Sequence, residues 1–206
     1  MAAHARQRAP QAGSRTGDRG GGDAGGTQKK GRDAELDLFF LDETGFSPSL
    51  PPTYTWAPPG VRPVIPHENP EGRRVNVLAA LAAHGTHKHA PLTWRTASHP
   101  WKGEHVLAFL RHALPGRTGI PRIVVLDNAG IHRSRTVRQA RRALAEQGIW
   151  LWYLPAYSPE RNDIERTFRT VKHGAMPRRT FTTTEALTAA AETAFGQVNA
   201  QLQPSE

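Results

Sequence analysis

The 206-residue sequence contains no cysteine, which excludes disulfides, thiolate zinc sites and cysteine nucleophiles. It lacks any apolar run long enough to cross a bilayer, and its N-terminus lacks the hydrophobic stretch of a signal peptide. No GxxxxGKS loop is present to cradle a nucleotide phosphate, which argues against nucleotide hydrolysis. Acidic residues are scarce: 18 Asp and Glu stand against 27 Lys and Arg, a formal net charge of +9. That imbalance favours a polyanionic partner, nucleic acid before membrane. The expected protein is soluble, cytoplasmic and without a membrane partner.

Hydrophobic residues are also missing locally. Residues 1–35 contain no Val, Ile, Leu, Phe, Tyr or Trp, yet hold eight of the 19 glycines and seven basic residues. Such a Gly/Arg-rich leader cannot bury enough apolar surface to offset the entropy of ordering, so disorder is expected. A single domain is expected over residues 36–203.

That domain opens with an apolar strand over 36–41, ending at Asp42. A Pro-rich loop follows, with Trp56 as its expected anchor. RRVNVLAALAAHG and HAPLTWRTASH read as a hairpin turning at HGTHK. Val106, Phe109, Leu110 and Ala113 recur at helical spacing. A strand over 122–126 follows, then a helix marked by Val137, Ala140 and Leu144 and closed by Gly148. IWLWYLP is a short strand whose Trp150, Trp152 and Tyr153 are expected in the core. The second half of AYSPERNDIERTFRTVKH is helical, and Thr183 or Thr184 caps a last helix. This order predicts an α/β fold: a mixed sheet, with an antiparallel hairpin plus parallel strands, flanked by helices.

In that topology the first strand and the 122–126 strand can lie parallel and adjacent, bringing Asp42 and Asp127 side by side at their C-terminal ends. Two carboxylates so placed repel one another and require a shared proton or a cation. Hard divalent ions such as Mg²⁺ suit carboxylate oxygens. A third carboxylate would complete a two-metal site, and Glu165 is the candidate. Its spacing in Asn162-Asp163-Ile164-Glu165 equally fits a capping box, so both readings stand. Arg166, Arg169 and Lys172 follow on the same helix, and Arg133 and Arg135 open a stripe of five arginines over 133–142. Both sets suit a phosphate backbone, and both also suit a solvated face. Glu43 points to the face opposite Asp42 and reads as structural. His84, His87 and His89 read as a polar hairpin tip, since no carboxylate accompanies them.

LDETGF, LDNAGIHRS and LPAYSPERNDIER, in that order, resemble the three catalytic motifs of DDE transposases of the insertion sequence 630 and mariner superfamily. TYTWAPPGVRPV resembles that family's Trp-containing loop, and the likeness extends from residue 36 to about 175. The resemblance implies an RNase H-like fold, Mg²⁺ or Mn²⁺ as cofactor, two ions, and cutting and joining of DNA at the ends of a mobile element. Carried over by position, it makes Asp42, Asp127 and Glu165 the catalytic, metal-binding triad. Asn128 becomes a neighbour supporting the ligands, Gly130 a position giving backbone room, and His132 a ligand-orienting or phosphate-binding group, or else an ordinary helix-entry residue.

Two features depart from the family. Asp163 stands where Pro is usual, adding a negative charge near the expected metals. The leader stands where helix-turn-helix modules would read the element ends. Besides DNA, the expected partners are a second copy of the chain, in a homodimer, and a separate helix-turn-helix polypeptide. The alternatives are a truncated relic that only binds DNA non-specifically, and a general metal-dependent nuclease.

Overall fold

The computed structural model describes residues 36–49, 58–61, 74–83, 92–116, 119–155 and 161–203. The leader, the Trp56 anchor and the three histidines of the hairpin tip lie outside these residues. Among these residues five strands form one sheet: β1 (Asp37–Phe46), β2 (Val75–Ala82), β3 (Leu92–Ala97), β4 (Arg122–Leu126) and β5 (Ile149–Tyr153), in the order β3-β2-β1-β4-β5. The β1–β2 and β2–β3 pairs are antiparallel, while β1–β4 and β4–β5 are parallel. The helices among the described residues are α1 (Gly103–His112), α2 (Arg135–Glu146), α3 (Ile164–Thr170) and α4 (Thr184–Leu202). A π-helical turn, Val171–Ala175, continues α3.

β1 is central because its residues are apolar on both faces. Leu38, Phe40 and Phe46 pack under α3 and α4 with Ile164, Phe168 and Phe195, while Phe39 and Leu41 pack under α1 and α2 with Val106, Leu110, Val137 and Leu144. Each such side chain contributes about 1.5–3 kcal/mol on burial. That is why an unbroken apolar run, rather than an alternating one, marks this strand. Phe195 meets both Phe46 and Phe168 edge-on at 6.2 Å, tying α4 to the sheet and to α3.

Local signals set several boundaries. The Ser134 hydroxyl accepts from the Val137 N–H at the start of α2, and Gly148 follows that helix with φ +76°, a conformation that favours glycine. Thr183, the first of the two threonines expected as caps, accepts from the Ala186 N–H.

Other expectations are corrected. β1 does not stop before Asp42 but runs on to Phe46, because β2 pairs with it along that whole stretch. Trp150 is 55% exposed, since β5 is an edge strand and this residue faces away from α2; Trp152 and Tyr153 are half-buried. Gly130 has neither a left-handed backbone nor a neighbour a methyl group would touch, so no steric demand for glycine exists there.

Candidate active site

The sheet register sets the site. The parallel β1–β4 pairing ends at Leu41 opposite Leu126, so Asp42 and Asp127 are the next residue on each strand. β4 stops there and the chain turns away: the Ala129 N–H bonds back to Asp127 Oδ1 at 2.9 Å. This is the local turn an Asp side chain favours. β1 continues beside β2 alone, leaving the β4 side of Asp42 open to Asp127.

Asp42 is anchored through both oxygens. Oδ1 accepts from the Glu43 N–H at 2.7 Å, and Oδ2 accepts from the Asn162 side-chain amide at 3.2 Å. Burial, and then the charge of Asp127, push the Asp42 carboxyl up to about 7, although the Glu43 N–H opposes the shift. Asp127 moves the other way. The hydrogen bond from His132 holds it below the usual carboxylate range, helped by the Ala129 N–H and opposed by burial.

His132 is fully buried, with Nδ1 2.7 Å from Asp127 Oδ1. Its carbonyl accepts from the Tyr153 hydroxyl at 2.8 Å, which fastens the turn to β5. Nε2 looks toward Glu43 Oε2 at 3.8 Å, beyond hydrogen-bonding distance. Asp42, Asp127 and His132 offer ligand atoms all within 4.8 Å of one another. Two closely spaced carboxylates whose affinities for a proton have been driven apart are chemically matched to a hard divalent cation.

Glu165 is exposed in the first turn of α3 and is not one of these three groups. The capping box does not form: Asp163 precedes the first helical residue, and its side chain makes no cap hydrogen bond. The Asn162 amide is turned instead toward Asp42, so the Glu165 carboxylate is not tied down as a cap. Asn128 donates to the Leu154 carbonyl, just past β5, at 2.7 Å and accepts from Arg133 at 3.1 Å, so it bonds these rather than Asp127.

Of the candidate DNA-binding cations, Arg133 bonds Asn128 beside Asp127, and Lys172 lies near enough to Asp42 to feel its charge. Arg133, Arg135, Arg166 and Arg169 are exposed. Arg133 and Arg141 lie over the Tyr153 ring at 5.9 and 5.7 Å. Lys172 is half-buried on the π-helical turn, 5.9 Å from the centre of the Phe46 ring. Burial, then the charge of Arg74, lower its affinity for a proton, while Asp42 raises it.

Sequence reasoning missed two participants. Asn162 read only as a cap, although a buried amide two residues before a helix is free to turn inward. Glu43 was assigned correctly to the opposite face, but no periodicity could show that His132 would meet it there.

The family profile of DDE superfamily endonucleases matches residues 37–188. The chain belongs to that family. No curated protein matches the sequence. Among solved structures, the chain is similar to the Mos1 strand transfer complex, at 15% identity and a TM-score of 0.57, over 84% of this chain and 53% of that one. It is similar to the Mos1 transposase paired-end complex with left transposon end, at 13% and 0.58, over 97% and 64%. It is also similar to the Mos1 mariner paired-end complex with Mn, at 14% and 0.55, over 81% and 52%. These likenesses carry the fold: the mixed sheet with helices on both faces is RNase H-like. The DDE endonuclease chain spans between about half and two thirds of the length of the transposase chains it matches. Family membership implies a divalent metal, and the Asp42, Asp127 and His132 cluster fits one.

Proposed function

We propose that this chain is the catalytic domain of a transposase, performing divalent-cation-dependent cleavage and strand transfer of DNA at the ends of an insertion sequence. The observation that carries the reading is the convergence of Asp42 and Asp127 at the matched ends of two parallel strands, with His132 bonded to the second. Mg²⁺ or Mn²⁺, when bound, supplies Lewis acidity at the phosphodiester and lowers the pKa of the attacking water. Asp42 and Asp127 hold the cation from the sheet. Glu165 is the third carboxylate, carried by a helix whose lead-in residue Asn162 already bonds Asp42. Together with Asp42 and Asp127, Glu165 would hold a second such ion. His132 and Asn128 keep the β4 turn rigid, so the ligands are not reorganised during the reaction. Arg133, Arg135, Arg166, Arg169 and Lys172 hold the DNA backbone on either side. Recognition of the element ends falls to helix-turn-helix modules outside residues 36–203.

The test is a transposon-end duplex incubated with the chain and Mg²⁺ or Mn²⁺. Nicking and strand-transfer products are expected, and Asp42→Ala and Asp127→Ala each lower the rate at least about a thousandfold, equivalent to about 4 kcal/mol of barrier. Metal-independent cleavage, or full activity in Asp42→Ala, refutes the reading. A second reading, a relic that only binds DNA, is favoured by one feature: Glu165 stands apart from the three clustered groups. Salt-sensitive DNA binding with no metal binding and no nicking selects it. Cleavage without strand transfer selects a general nuclease.

A further inference from the structure

Glu43 follows Asp42 on β1 but projects to the other face of the sheet, beside a cavity of about 590 Å³ that it lines with Arg74, Asn76 and Trp101. Its side chain is 35% exposed, so water is available to its carboxylate. Yet Oε2 is turned inward, fully buried, and has no hydrogen-bond partner. The same holds for His132 Nε2, and these two atoms face each other at 3.8 Å. Buried polar atoms without partners are rare in folded proteins, and a carboxylate oxygen and an imidazole nitrogen share a hydrogen bond when either one carries the proton.

The backbone of His132 is held independently, by its own N–H to the Ala129 carbonyl at 3.1 Å and by Tyr153 on its carbonyl. Rotation of the imidazole ring is therefore set by what its two nitrogens face. Nδ1 faces Asp127 at 2.7 Å, and Nε2 faces Glu43. A histidine oriented by a carboxylate at one nitrogen, and serving a metal site through the other, is a recurrent support for metal ligands. Here the order runs Glu43, His132, Asp127.

We propose that Glu43 is a positioning residue for the metal-binding carboxylate Asp127, acting through the His132 ring. The inference rests on the reading of Asp42 and Asp127 as metal ligands. Glu43 itself does not join the cluster, because it lies on the other face of β1 and reaches Asp127 only across the imidazole.

The experiment titrates Mn²⁺ alone into the full chain by calorimetry, at one pH, for parent, Glu43→Ala, Glu43→Gln, Glu43→Asp and Asp127→Asn, with circular dichroism to verify folding. Glu43→Ala is expected to weaken Mn²⁺ binding about tenfold, as loss of a group supporting a metal ligand does. Glu43→Gln keeps a polar group of the same reach, able to donate to Nε2 or to accept from it, and is expected to bind Mn²⁺ within about threefold of the parent, because reach rather than charge is what orients the ring. Glu43→Asp keeps the charge but shortens the reach, and is expected to weaken binding as Glu43→Ala does. The inference is overturned if Glu43→Ala and Glu43→Asp both bind like the parent. It is equally overturned if Glu43→Asp binds normally while Glu43→Gln does not, because then only charge matters. Glu43→Gln and Glu43→Asp decide the matter by themselves if Glu43→Ala does not fold. Unchanged Mn²⁺ binding in Asp127→Asn would instead defeat the assignment of the metal site, whatever the Glu43 variants do.

Discussion

Asp42 and Asp127 are the same chemical group under opposite influences, and their pH responses separate accordingly. Asp42 binds its proton more tightly in the folded chain, at about 7 against 3.8 in the free side chain. Folding therefore takes up a proton between those limits, and the metal-free fold loses stability as pH rises from about 4 to about 7, by on the order of 4 kcal/mol. Asp127 behaves conversely: its depressed value adds stability above the unfolded pKa, which is lost as pH falls through the folded one. Asp42→Asn removes the ionisation. In thermal melts without metal it is expected to exceed the parent at pH 8, with the advantage vanishing near pH 4. Added Mg²⁺ is expected to raise the melting temperature of the parent, more at pH 8 than at pH 6, and to leave Asp42→Asn nearly unmoved. A parent whose metal-free stability rises steadily from pH 4 to 8 would contradict this account.

The elements are held by contributions of different size, and mutants should rank them. Phe195 bridges α4, β1 and α3 from a fully buried position, so Phe195→Ala is expected to cost about 3–5 kcal/mol in denaturant unfolding. Thr183→Ala removes one cap hydrogen bond from the same helix and is expected to cost about 1 kcal/mol. Gly103 begins α1 directly against Ser134, the cap of α2, and a methyl group there would overlap the serine hydroxyl. Gly103→Ala is therefore expected to destabilise despite the better helix propensity of alanine, and a melting temperature above the parent's would refute that close approach. The helices, their caps and the central strand were legible because each depends on residues near one another in the chain. The exposure of Trp150 was not, since an edge strand and a central one can share the same composition.

For the molecule as a whole, charge argues association rather than fold. A formal charge of +9 and the exposed Arg133, Arg135, Arg166 and Arg169 suit association with a polyanion. If Arg166 and Arg169 each contact one phosphate, mutating both to Ala should reduce the slope of log affinity against log salt by about 2, leaving sequence preference unchanged. An unchanged slope would place the DNA elsewhere. No helix among the described residues is long and apolar enough to cross a membrane.

The chain by itself determined the class of architecture and allowed the pairing of Asp42 with Asp127, which the parallel β1–β4 register then supplied, because hydrophobic periodicity and strand order are properties of neighbouring residues and of a small set of allowed topologies. Its motifs also carried the family. Only the tertiary structure decided that Asn162 leaves its capping role to bond Asp42, 120 positions earlier, and that Glu43 meets His132 on the far face of the sheet. Contacts of that kind depend on the three-dimensional register of separate elements, which no local spacing encodes.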